Sequence, residues 1–146
     1  MIALIQRVSQ AHVDVRGVRI GAIGRGLLVL VCAEPADTDA SAERLVAKLV
    51  KLRIFADDAG KMNRSVADVQ GALLIVSQFT LVADVSGGNR PSFTGAAEPE
   101  LGRRLYERVL EAARATGLVV ASGEFGADMQ VGLVNDGPVT IPLRIA

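Results

Sequence analysis

Two stretches of this chain are apolar almost without a break: LLVLVC at residues 27–32 and GALLIVSQFTLV at 71–82. An amphipathic helix would show a polar face and a half-exposed strand would alternate. Uninterrupted runs rich in Leu, Val and Ile instead read as strands buried on both faces. Such strands need cover from other elements, and the rest of the chain must supply it. With 146 residues, half of them apolar, the chain is long enough to do so as one domain spanning 1–146.

The remaining pattern supplies strands and two helices. Residues 2–15 read as a long strand whose apolar face moves from Ile2, Leu4 and Val8 to Ala11, Val13 and Val15, which calls for a bulge midway. Gly17 marks one hairpin turn and Gly24 and Gly26 the next, leading into the buried strand at 27–32. The glycines of GAIGRG precede a strand and not a helix, so they read as a turn and not a nucleotide loop. From Asp37 or Thr38 as N-cap to Arg53, Leu45, Val46, Leu49 and Leu52 share one helical face. A second helix runs from Pro99 to Ala115 and stops at Gly117. Strands at 118–122, 129–134 and 139–145 complete the chain, with NDG as the turn between the last two. The expected class is α+β: a strongly twisted, barrel-like mixed or antiparallel sheet with two main helices.

Composition removes several function classes. Sixteen basic residues balance sixteen acidic ones, unlike the basic footprint of a protein that grips long nucleic acid, so DNA is not an expected partner. No apolar run approaches the ~18 residues that cross a bilayer, and a cytoplasmic location without membrane contact is expected. One cysteine, Cys32, excludes an internal disulfide, and with one histidine, His12, it is too little for an ordinary zinc site; no metal or other cofactor is implied. His12 shares a strand face with Gln10 and Asp14 and is expected to face solvent, which leaves a Ser/His/Asp triad without its base. Cys32 ends an apolar strand with no basic neighbour to form a thiolate.

Two features remain. SQFT, residues 77–80, puts hydroxyl and amide groups at the carboxyl end of a buried strand, although Thr80 has no evident base to make it a nucleophile. Gly137-Pro138 stands between a turn signal and an apolar strand, where proline offers no N–H to a ladder and so marks a backbone position with a special task.

Together with these, ALIQRV at 3–8, LRIFADDAGKMNRS at 52–65, SQFTL at 77–81, RPSF at 90–93, FGADMQV at 125–131 and NDGPVT at 135–140 resemble the bacterial D-aminoacyl-tRNA deacylases along nearly the whole chain. The resemblance implies a hydrolase acting on the ester bond of D-aminoacyl-tRNA, and on mischarged glycyl-tRNA(Ala), as a proofreading step of translation. It implies a homodimer in which Ser77, Gln78, Phe79 and Thr80 of one subunit meet Gly137, Pro138 and Val139 of the other. A cis Gly137-Pro138 peptide there would exclude L-aminoacyl groups. It further implies that Phe125 and Met129 lie about the 3′-terminal adenosine and that Arg7 buttresses the pocket or meets phosphate. Lys61, Arg64 and Arg90 are further basic candidates. One departure stands out: Ser122-Gly123-Glu124 precedes FGADM where the resemblance leads one to expect Thr-Gly and a basic residue, so no phosphate contact is expected at 124. The alternative is a non-catalytic module that binds the 3′ end of tRNA.

Overall fold

The computed structural model describes all residues from Met1 to Ala146. Strand β1 (Ile2–Val15) is its spine. One edge of β1 pairs antiparallel with β2 (Val18–Ile23) through residues 11–15 and with β3 (Gly26–Cys32) through residues 2–8. Its other edge pairs antiparallel with β8 (Gln130–Arg144) from end to end. The sheet continues by parallel pairing from β3 to β6 (Ala72–Ser77) and from β6 to β7 (Val120–Ser122). Twist brings β2 back towards the far side of this sheet: a Cβ added to Gly21 would stand 2.7 Å from the carbonyl oxygen of Ser122. The result is the nearly closed, mixed barrel-like sheet expected of the sequence.

The continuous apolar strands have partners on both faces. Leu27, Val29, Leu73 and Ile75 point to a layer formed by α1 (Asp39–Leu49) and α2 (Pro99–Arg114), where they meet Leu45, Leu49, Leu105 and Val109. Leu28, Leu74 and Val76 point the other way, to an inner cluster with Val8, Val13 and Val15. No face of β3 or β6 is left for water, which is why neither sequence alternates.

Four expectations need correction. Along β1, Ala3 and Ile5 are the fully buried residues, whereas Ile2 and Leu4 are only partly covered. The change of face occurs between Ile5 and Val8, beside the breaks in register opposite β8. Helix α1 starts on the Thr38 cap but ends at Leu49, short of Arg53. Arg53 is instead drawn into a small hairpin of β4 (Phe55–Ala56) and β5 (Met62–Arg64), where its guanidinium donates to Asn63 O and Oδ1 at 3.1 and 2.8 Å. Strand β6 stops at Ser77, and Phe79–Val82 form a turn of 3₁₀ helix. The last two expected strands are one: β8 runs unturned along β1, and NDG is not a hairpin.

The two ends of the chain are tied by a buried charge. The Met1 α-ammonium, fully enclosed, donates to Asp37 Oδ1 at 2.8 Å, Glu34 Oε1 at 3.2 Å and Ile145 O at 2.8 Å. Asp37 Oδ2 also accepts the Glu34 N–H at 2.7 Å, and Arg144 Nη1 reaches Glu34 at 2.7 Å. Burial pushes the Glu34 carboxyl up, but the bonds from Arg144 and the ammonium more than offset this and hold it below its ordinary range. Without Asp37 the enclosed ammonium would keep Ile145 O and only the longer Glu34 contact, and the Glu34 N–H would lose its acceptor. Asp37→Ala is therefore expected to lower unfolding stability by about 1–3 kcal/mol, seen as a reduced denaturant midpoint at unchanged slope; a change within about 0.5 kcal/mol would contradict this account.

Candidate functional site

At the end of β6 the chain leaves the sheet in a defined way. Gln78 N–H still bonds Val31 O of the neighbouring strand at 2.8 Å, after which the first bond of the 3₁₀ turn is from Leu81 N–H to Gln78 O at 3.2 Å. The amides of Phe79 and Thr80 precede that bond and stand outside the turn's own hydrogen bonding. Gln78 Nε2 donates to Thr80 Oγ1 at 2.5 Å, fixing the two side chains of the turn to each other.

This turn forms one wall of a cavity of about 650 Å³, bounded on its other sides by the start of α2 and by residues 125–131. Ser77, Gln78, Phe79, Phe125 and Met129 all line it; Thr80 is not on the wall and is joined to it through Gln78. Phe79, half exposed, meets Phe93 edge to face, with ring centres 5.1 Å apart at 78°. The sequence reading missed Met1, Cys32, Pro99 and Tyr106 of the lining. Pro99 and Tyr106 sit seven residues apart on one face of α2, a spacing visible in the sequence, but nothing there says that this end of the stripe faces a cavity.

The lining is chemically quiet. Tyr106 is buried, donates its hydroxyl to Ile75 O at 2.7 Å and is pushed up by that burial to about 12, so it stays neutral. Burial, with the Glu34 carboxylate adding to it, raises the Cys32 thiol to about 11, and its Sγ lies 3.5 Å from Phe79 O. A thiol so shifted is not a nucleophile near neutrality. Two carboxylates, Glu98 and Asp128, complete the polar part of the wall. His12 is elsewhere and is not freely solvated as expected: its ring covers Gly132 of β8, where an added Cβ would stand 2.3 Å from Cε1. No group of three His, Cys, Asp or Glu side chains is placed to hold a metal ion.

Arg7, Gly137, Pro138 and Val139 form a second cluster, and within this chain it does not line the cavity. In the ladder between β1 and β8, Val8 faces Asn135 and Gln6 faces Thr140, so residues 136–139 stand opposite Arg7 alone and project as a bulge. The Gly137-Pro138 peptide at its tip is cis, as the resemblance implied. Arg7 secures the base: Nε donates to Asp136 O and Nη1 to Ile54 O, each at 2.8 Å. On the far side Asn135 Oδ1 accepts Val139 N–H at 2.9 Å and its Nδ2 donates to Thr140 Oγ1 at 2.8 Å. Gly137 has φ +140°, and a Cβ there would meet Val139 Cγ2 at 2.9 Å and Arg7 Nη2 at 3.0 Å. Only glycine fits without rearrangement. Of the other basic candidates, Arg64 is paired with Asp58 at 2.9 Å.

Comparison with known proteins gives the family. The family model described as D-Tyr-tRNA(Tyr) deacylase matches residues 4–144. A D-aminoacyl-tRNA deacylase of Variovorax paradoxus is 68% identical over 146 residues, covering 100% of both chains. One from Methylibium petroleiphilum is 71% identical over 145 residues, covering 99% of this chain and 95% of its own. Among solved structures, a c-Myc DNA Unwinding Element Binding Protein superposes with a TM-score of 0.94 at 44% identity, covering 100% of this chain and 99% of that one. A probable eukaryotic D-amino acid tRNA deacylase shares the fold, with a TM-score of 0.87 at 21% identity and 97% of each chain covered. With both the SQFT turn and the Gly137-Pro138 bulge inside the matched span, the chain belongs to the D-Tyr-tRNA(Tyr) deacylase family of hydrolases.

Proposed function

We propose that the protein, acting as one domain over residues 1–146 and as a homodimer, hydrolyses the ester of D-aminoacyl-tRNA in the cytoplasm, with the bulge of one subunit closing the cavity of the other. The observation that carries this reading is the separation of the two halves of the site. The cavity with its SQFT turn and the clamped Gly137-Pro138 tip lie apart in one chain, and each is fixed by its own bonds. A second copy would bring them together. The free edge of β8 and the exposed Leu133 and Val134 on that strand are in keeping with such a partner.

In this reading the 3′-terminal adenosine enters the cavity among Phe125, Met129 and Ser77, whose mixed apolar and hydroxyl lining suits a nucleoside. The ester carbonyl rests at the amides of Phe79 and Thr80. Water adds to the carbonyl carbon, these amides take the developing oxyanion, and the ribose oxygen leaves with a proton as the amino acid is released. An aminoacyl ester is already reactive, so a placed water and one or two oxyanion donors, each worth about 2.7–4 kcal/mol, suffice without a side-chain nucleophile. The neighbouring 2′-hydroxyl assists in this scheme, and Thr80, bonded to Gln78, orients the turn.

Chiral selection is by exclusion. The carbonyl groups of the Gly137-Pro138 tip stand where an L side chain would go, and Arg7, Asn135 and Val139 keep them there. A hard clash discriminates better than the ~1–3 kcal/mol that a gained methylene contact offers. Glycine has nothing to exclude, so glycyl-tRNA is admitted. DNA, which the name of one structural relative mentions, is not favoured as a ligand of this chain, because the chain carries no net charge.

Three outcomes test the reading. Purified protein with chelator present is expected to release tyrosine from D-tyrosyl-tRNA and not from L-tyrosyl-tRNA; tight binding of both without turnover would make it a tRNA-end binding module instead. Gly137→Ala, by forcing the tip against Arg7 and Val139, is expected to cut the D over L preference at least about tenfold, and an unaltered preference would remove the tip from selection. Thr80→Ala is expected to lower kcat by roughly tenfold, the worth of one hydrogen bond. A loss on the order of 10⁶, as for a covalent nucleophile, would give Thr80 a different role.

A further inference from the structure

One cation at the cavity rim is not used by the protein itself. On α2, Pro99, Gly102 and Tyr106 face the cavity, and Arg103 lies beside them on the same flank of the helix. The ring of Phe125 packs beside Gly102, with its Cζ at an ordinary contact distance of 3.6 Å from a Cβ added there. The Arg103 guanidinium then lies over that ring, 4.7 Å from its centre. Its neighbours on α2 are differently employed: Arg104 pairs with Asp39 at 2.5 Å and Arg108 with Glu43 at 2.6 Å, bracing the helix against α1. Arg103 has no carboxylate within 4.0 Å and donates no hydrogen bond to the protein. Glu124, adjacent to Phe125, is turned to Arg16 at 3.5 Å and does not neutralise it.

A guanidinium that rests over an aromatic ring and makes no hydrogen bond to the protein keeps its N–H donors free, and such donors bind phosphate oxygens. We propose that Arg103 binds a phosphodiester of the RNA strand that leads into the cavity, next to the terminal nucleoside stacked near Phe125. The inference rests on the reading of the cavity as the seat of that nucleoside. It gives this chain a cation for the RNA backbone on α2, where Glu124 cannot supply one.

The test separates phosphate from nucleoside. Arg103→Gln and Arg103→Lys are compared with the unaltered protein in binding of deacylated tRNA as a function of salt, and in hydrolysis of D-tyrosyl-tRNA and of 3′-O-D-tyrosyl-adenosine, which has no phosphate. Arg103→Gln is expected to weaken tRNA binding about tenfold and to lower the salt slope by about 0.7. Arg103→Lys should keep most of that slope, and kcat/KM for the nucleoside ester should stay unchanged in both variants. An equal loss on the nucleoside ester would mean that Arg103 only supports Phe125, and unaltered tRNA binding would mean that it meets no phosphate; either result overturns the proposal. Should the unaltered protein bind tRNA but hydrolyse neither ester, the deacylase reading falls while the salt dependence still decides for or against Arg103.

Discussion

Everything in this molecule is referred to β1, because both of its edges are used. The β3 edge sets the parallel partner β6 and hence the point, Ser77, at which the chain leaves the sheet to make the SQFT turn. The β8 edge sets where the Gly137-Pro138 bulge projects. A slip of one residue along β1 would reverse inside and outside for the whole ladder. The enclosed Met1 ammonium at one end, bonded to Asp37 and Ile145, and the Arg7 guanidinium in the middle, bonded to Ile54 and Asp136, are placed to oppose such a slip. One strand thus carries the register on which both the SQFT turn and the Gly137-Pro138 bulge depend.

The electrostatics of the cavity follow from the same architecture. Buried side chains of β3, β6 and α2 make a mostly apolar wall, so the ionisable groups forced into it, Tyr106 and Cys32, are held in their neutral forms. What remains for polar recognition is backbone amide, hydroxyl and carboxamide, with the Glu98 and Asp128 carboxylates beside them. Outside the cavity, Arg104, Arg108 and Glu124 are already paired. Preorganised dipoles in a quiet wall suit a reaction whose substrate brings its own reactivity.

Much of this was legible in the residues. The unbroken apolar character of 27–32 and 72–76 marked the two central strands, the Thr38 cap and Pro99 marked the helix starts, and Gly137-Pro138 marked the bulge as a special backbone position. What was misread has a common cause. Phe79, Thr80, Leu81 and Val82 are as strand-like in type as the residues before them, and only the end of pairing at Val31 and Ser77 tells the chain to turn. NDG resembles a hairpin turn, yet both flanking segments pair with the same strand in the same direction, a tertiary fact that local propensity does not contain. Arg7 was readable as important only through resemblance, since its partners, Ile54 and Asp136, are distant in sequence.

The four residues opposite Arg7 have a consequence for how such a protein can diversify. Because residues 136–139 add no rung to the ladder, which resumes at Thr140, the sheet constrains them chiefly through the Arg7–Asp136 and Asn135–Val139 bonds. Heritable variation can therefore alter the exposed side chains of the bulge at little cost to the barrel, provided that those bonds and Gly137 are kept.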